Sequence, residues 1–161
     1  MITVARIDER LIHGQVGYSW TVAYKSDAVM VVDNEVSKDE FQVSLLKMAC
    51  PASLKCFVVD EDRAVQLLAK YPKKKFFIVV GHPRVYLNMI DRGAEIASIN
   101  VGGIYFKEGR RQVSKTVYVD DDMERVFKAL DDKGVKLEVR TTPTDSEEKR
   151  GFGSLCDKGL A

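Results

Sequence analysis

Short apolar runs rich in β-branched residues alternate along this chain with segments whose apolar residues recur at helical spacing. That alternation is the pattern of a parallel sheet with helices on its faces. Residues 2–7 read as a first strand, and the segment 14–25 then places Val16, Trp20, Ala23 and Tyr24 at helical offsets, one face of which can pack on the sheet. Residues 28–32 give a second strand. Ser37 with Glu40 three positions on has the form of a capping box ahead of Phe41, Leu45, Leu46, Met48 and Ala49, and Pro51 stops that helix. A third strand at 55–59 runs into Asp60, Glu61 and Asp62, carboxylates suited to the positive end of a helix dipole.

Residues 76–80 are apolar throughout, as a central parallel strand requires. A helix carrying Val85, Met89 and Ile90 follows and stops at Arg92 and Gly93, and 96–101 reads as a fifth strand closed by Gly102 and Gly103. Beyond a basic turn with Lys107, Gly109, Arg110 and Arg111, residues 116–119 read as a sixth strand. A helix over 120–133 has Met123, Val126, Phe127 and Leu130 on one face and Gly134 as its stop, and 135–139 can add a last strand. The expected architecture is a single-domain α/β fold over residues 1–143: an open, doubly wound, mostly parallel sheet of six to seven strands with helices on both faces. Residues 144–161 read as a loosely held tail.

Composition narrows the chemistry. With 161 residues the chain fits one core, and 25 Lys and Arg against 24 Asp and Glu give a formal charge of +1, which offers nothing to nucleic acid or an anionic membrane. Three cysteines, odd in number and without a CxxC pair, read as neither a metal site nor a disulfide framework, and such usage fits a reducing compartment. The apolar runs, five residues at the longest, are too short for a signal peptide or a membrane span, so a cytosolic protein is expected that meets a membrane only through a partner. Histidine chemistry has two possible positions, His13 and His82.

Ligands of open parallel sheets bind beyond the carboxyl ends of the strands, where strand order reverses. The segment leaving the first strand, Arg6-Ile7-Asp8-Glu9-Arg10-Leu11-Ile12-His13-Gly14-Gln15, concentrates two arginines, two acids and a histidine in one turn. A histidine just before a helix lies where the backbone N–H groups of Gly14, Gln15 and Val16 can point at an anion attached to it. Arg10 offers a forked donor matched to phosphate oxygens. No Gly-rich nucleotide loop is present, so the phosphate is expected on His13 itself, with no cofactor and no metal. Asp8 can hold the other ring nitrogen or orient Arg10, and Arg6, two residues back on the same strand face, can support Asp8. A lone histidine is by itself more often structural than phosphoaccepting. His82, between Gly81 and Pro83, reads as a loop cap that would border the site if strand order ran 3-2-1-4. Trp20 and Tyr24 read as packing, Lys73 to Lys75 as a solvated turn, and Arg110 with Arg111 as a solvated loop or a docking patch.

The string Arg-Ile-Asp-Glu-Arg-Leu-Ile-His-Gly-Gln-Val at 6–16, followed by Trp20, resembles the active-site segment of IIB subunits of the bacterial sugar phosphotransferase system (PTS), mannose–fructose–sorbose family. The resemblance continues through Val32-Asp33-Asn34, 46–51, Asn100-Val101-Gly102-Gly103 and 116–119, and covers about residues 1–143. The form Arg-Ile-Asp-Glu-Arg is similar to members specific for N-acetylgalactosamine. The resemblance implies that His13 takes a phosphoryl group at Nδ1 from a phosphohistidine on a IIA protein, with Arg10 beside it. The phosphate then passes to a sugar imported through the membrane subunits IIC and IID. It departs from the family pattern in having Glu9 where many members carry Asp, and in its tail.

Two other readings compete with this one. Asp8, Glu9, Asp60 and Lys107 loosely imitate a receiver domain phosphorylated on Asp60. A non-catalytic small-ligand module is the other.

Overall fold

The computed structural model describes residues 1–145. Six strands form one parallel sheet in the order β3-β2-β4-β1-β5-β8. These strands are β1 (Ile2–Asp8), β2 (Ala28–Val32), β3 (Lys55–Val59), β4 (Phe76–Val80), β5 (Ser98–Gly103) and β8 (Lys136–Val139). The interleaved helices are α1 (Val16–Ala23), α2 (Glu40–Ala49), α3 (Glu61–Lys70), α4 (Pro83–Asp91) and α5 (Asp121–Asp132). β2 and β4 are buried at every position, as continuous apolar runs covered on both faces must be.

The alternation of side chains along each strand divides the core in two. Ala5, Ile7, Met30, Ile78 and Val101 pack with residues of α3, α4 and α5, whereas Val4, Val29, Val31, Phe77 and Val79 pack with Trp20 of α1 and, at its margin, Leu46 of α2. The chain leaves β1 toward β2 on one side and leaves β4 toward β5 on the other, and β1 and β4 are hydrogen-bonded neighbours. The carboxyl ends of β1 and β4 therefore flank the point where strand order reverses.

Residues 116–119 do not join this sheet. Arg111–Ser114 (β6) and Val117–Val119 (β7) pair antiparallel as a separate hairpin, tied to the end of β5 by the hydrogen bond of Ile104 N–H to Thr116 O. An apolar run of that length fits either arrangement, and the tight turn between Ser114 and Val117 decides it. The capping box is also replaced: residues Val36–Lys38 form a 3-10 turn, and Asp39 caps α2 by accepting from the amides of Phe41 and Gln42. Only Leu46 of the helix's large apolar side chains packs on the core, and Phe41, Leu45 and Met48 are exposed. The end of α2 and the start of β3 bring Cys50 and Cys56 side by side, with their Cα atoms 6.5 Å apart, a proximity that their spacing alone does not convey.

Asn34 owes its place to structure. Its side-chain amide donates to Glu61 Oε1 and its carbonyl oxygen accepts the Glu61 amide, both at 2.9 Å, while Asn88 donates to the other carboxylate oxygen. This ties the β2 exit to α3 and α4. Among the described residues no helix is long and apolar enough to cross a membrane. Most of the expected tail, 146–161, lies outside the described residues, with Cys156 in it.

Candidate active site

The turn from β1 to α1 is bent by two left-handed residues, Gly14 at φ +50° and Leu11 at φ +58°. The first suits glycine, whereas the second is an uncommon conformation for leucine, held by its buried side chain beside Gly81 at the end of β4. The bend folds His13 back over the end of its own strand. Asp8 Oδ2 then lies 3.2 Å from His13 Nε2. A carboxylate only accepts, so Nε2 carries a proton and in the neutral ring Nδ1 holds the lone pair, without a hydrogen-bond partner among the described residues.

Asp8 is itself held from four directions. Oδ2 also accepts from Arg6 Nη2 at 3.3 Å, and Oδ1 accepts the Arg10 amide at 3.0 Å and the Tyr105 hydroxyl at 3.4 Å. Of the two sequence-level roles for Asp8, it takes the first directly and shares the second through the Arg10 backbone. Arg6 is 1% exposed. Its Nη1 donates to Asn100 Oδ1 at 2.7 Å and to Arg140 O at 3.3 Å, and its guanidinium carbon sits 5.1 Å from the centre of the Trp20 ring. Burial pulls the Arg6 guanidinium down from its ordinary value, and Asp8 opposes that pull. The chain Asn100, Arg6, Asp8, His13 thus runs from the sheet interior to the ring. Gly102 makes room for it, since a Cβ there would overlap the Arg6 guanidinium.

Arg10 is differently placed. Its Nε donates to the Tyr105 hydroxyl at 3.0 Å, and its terminal nitrogens have no partner among the described residues. The amides of Gly14 and Gln15 are likewise without a partner there, but Val16 N–H is taken by His13 O at 3.2 Å, which removes it from the expected anion cradle. Gln15 occupies the cap position of α1 without a side-chain hydrogen bond.

The basic residues of the turn at 107–111 form ion pairs. Arg110 closes a two-pronged bridge on Glu9, 2.9 Å at each prong, and Arg111 pairs with Glu124. Lys107 lies 3.8 Å from Glu9. Arg110 and Arg111 are therefore not a free docking patch. Burial pushes the Glu9 carboxyl up, but the Arg110 fork and the Tyr105 amide outweigh it and hold Glu9 below the ordinary range. Tyr105 has no place in the sequence reading, and Asn100 enters it only within the string 100–103 that carries the family resemblance. The available signal is position: Asn100 lies within β5, the strand beside β1, and Tyr105 just beyond its end.

His82 is the cap of α4: its Nδ1 accepts the Arg84 amide at 3.0 Å. Burial, then Asp122 in the opposite sense and Arg84, leave it below its ordinary value of 6.5. A histidine with a lowered folded value binds fewer protons than the unfolded chain, so stability is complete above about pH 6.5 and falls as pH drops through the folded value. Protonation also removes the capping acceptor, a loss of about 1 kcal/mol. His82→Asn keeps an acceptor and should flatten the urea-unfolding stability between pH 7 and pH 5 relative to the unsubstituted protein.

Asp60 caps α3 by accepting the Arg63 amide at 2.8 Å, and β3, which it ends, lies at the sheet edge with β2 and β4 between it and β1. The acidic residues of the receiver reading are thus kept apart, and no cluster able to hold a metal occurs among the described residues.

Comparison with known proteins accords with this geometry. The family model described as "PTS system sorbose subfamily IIB component" matches residues 2–152. The sorbose-specific EIIB component of Lacticaseibacillus casei is 38% identical, over 90% of each chain. The N-acetylgalactosamine-specific phosphotransferase enzyme IIB component 1 of Escherichia coli is 30% identical over 92% of this chain and 95% of its own. The crystal structure of the IIB domain of the Klebsiella pneumoniae sorbose permease superposes with a TM-score of 0.91 at 31% identity, covering 99% of this chain and 98% of that one. Nothing among these relatives supports a receiver domain. A doubly wound sheet with a histidine at its switch point and matches along nearly the whole chain lead to one conclusion: the protein belongs to the sorbose subfamily of PTS IIB components, phosphotransferases that move phosphate from a IIA component to a sugar.

Proposed function

We propose that His13 is the phosphoryl carrier, accepting phosphate on Nδ1 from a phosphohistidine of a IIA protein and passing it to a sugar brought by the membrane subunits IIC and IID. The observation that carries the reading is the Asp8 contact with Nε2, which supports Nδ1 as the nucleophile. The Nδ1 lone pair attacks phosphorus in line, and the donor's P–N bond breaks with its electron pair returning to the donor imidazole. The positive charge gained by the His13 ring is met by Asp8 through the Nε2 proton. In the second step a sugar hydroxyl attacks and releases its proton to solvent, the P–N bond to His13 breaks with its electron pair returning to Nδ1, and the ring returns to its neutral form.

Transfer between two histidines is nearly balanced, so the protein's task is orientation and brief stabilisation of the equatorial oxygens. The free terminal nitrogens of Arg10 and the amides of Gly14 and Gln15 suit that task. Arg6 supports Asp8 from below. The working unit is residues 1–143, since the Arg140 carbonyl still takes part in holding Arg6. Its place is the cytoplasm, at the inner face of the membrane only while it is bound to IIC and IID.

Arg10→Ala should slow transfer in both directions by about 100-fold, the usual effect of removing one donor to a developing oxyanion. Rapid-quench labelling by phospho-IIA, and the reverse reaction from the phosphorylated protein, measure it. Unchanged rates remove Arg10 from the mechanism.

A further inference from the structure

We infer that Tyr105 is a positioning residue that aims Arg10 at the phosphoryl group, an inference that rests on the phosphoryl-carrier reading of His13. Tyr105 stands just beyond β5, beside the β1–α1 turn. Its hydroxyl accepts from Arg10 Nε at 3.0 Å and donates to Asp8 Oδ1 at 3.4 Å. The Arg10 guanidinium carbon also lies 5.1 Å from the centre of the Tyr105 ring. One aromatic side chain thus holds the guanidinium through both its ring and its hydroxyl. Fixing Nε sets the plane of the fork and leaves the two terminal nitrogens for a ligand.

No ion pair restrains Arg10 among the described residues, so its aim depends on this contact. The same carboxylate that orients the His13 ring through Oδ2 receives the Tyr105 hydroxyl on Oδ1. Acceptor nitrogen and phosphate-facing fork are therefore set from one point.

Tyr105 is in turn secured by its backbone. Its amide donates to Glu9 Oε1 at 2.7 Å, its carbonyl accepts from Arg110 Nη1 at 2.7 Å, and Arg110 closes on Glu9. Gly103 clears space for the phenol, with which a Cβ would collide. Burial, and then the Asp8 carboxylate, push the phenol above its ordinary value of 10.0, so the hydroxyl keeps the proton it donates to Asp8.

The test compares Tyr105→Phe, Arg10→Ala and the double variant of the full chain in rapid-quench transfer from phospho-IIA. Tyr105→Phe keeps the ring and should slow phosphorylation of His13 about 10-fold through misplacement of the fork. In the Arg10→Ala background the same change should have no further effect, because residues acting through one another are not additive. Equal slowing in both backgrounds, or none in either, overturns the assignment. Should the Phe variant lose its fold, the Arg10 Nε–H resonance of the unsubstituted protein decides: protection from exchange supports the contact, and exchange like that of a free arginine overturns it. An unsubstituted protein that takes no phosphate at all overturns the carrier reading itself. Labelling at full rate in Tyr105→Phe overturns only the role of Tyr105.

Discussion

His13→Ala should abolish labelling by phospho-IIA while leaving the fold almost as stable as before. The ring is a quarter exposed and makes one hydrogen bond, to Asp8, whose removal costs on the order of 1 kcal/mol. Asp8 keeps Arg6, the Arg10 amide and the Tyr105 hydroxyl after the ring is gone, so no buried charge is stranded. Labelling that persists in His13→Ala would move the phosphate elsewhere, and His82 is the other histidine in the chain. Urea unfolding beside the labelling assay separates loss of the acceptor from loss of the fold.

Asp8→Ala should fail in both respects. Asp8 and Arg6 are each 1% exposed, and the carboxylate is the counter-charge of a guanidinium lying against Trp20 inside the sheet's cover. Removing one member of a buried pair leaves the other uncompensated, a cost of about 3 to 5 kcal/mol. Arg6 Nε already lacks a partner, which leaves the guanidinium with little to fall back on. Transfer should fall as well, because the His13 ring loses the contact that fixes its proton on Nε2. Pairing the change with Arg6→Met should restore much of the stability, since the stranded charge is then gone, and none of the transfer. A double variant regaining the transfer rate would show that Asp8 serves the fold alone.

The sheet and its helices were legible because β2, β3 and β4 are short, strongly apolar runs and α3, α4 and α5 each present an apolar stripe of their own. The His13 turn was legible because its charge density stands apart from the rest of the chain. What sequence could not convey was pairing. Residues 116–119 have a strand's composition, yet whether such a run enters the main sheet or closes a hairpin depends on the turn between Ser114 and Val117. Arg110 and Arg111 read as available charge until Glu9 and Glu124 are found against them. Asn100 and Tyr105 lie far along the chain from His13 and reach the site only because β5 is the neighbour of β1. The resemblance to the family already included Asn100 and Gly102, and the structure supplies their physical reason: one holds the Arg6 guanidinium and the other leaves room for it.

On the proposed reading, His13 carries its proton on Nε2 beside Asp8 and takes the phosphate on Nδ1. The direct test is nuclear magnetic resonance of the protein labelled with 15N in histidine and phosphorylated by phospho-IIA, in which phosphorus–nitrogen coupling identifies the bonded ring atom. A single phosphohistidine at His13 substituted on Nδ1, acid-labile and alkali-stable, is the predicted result. Substitution on Nε2, or a hydroxylamine-sensitive acyl phosphate in its place, would contradict it.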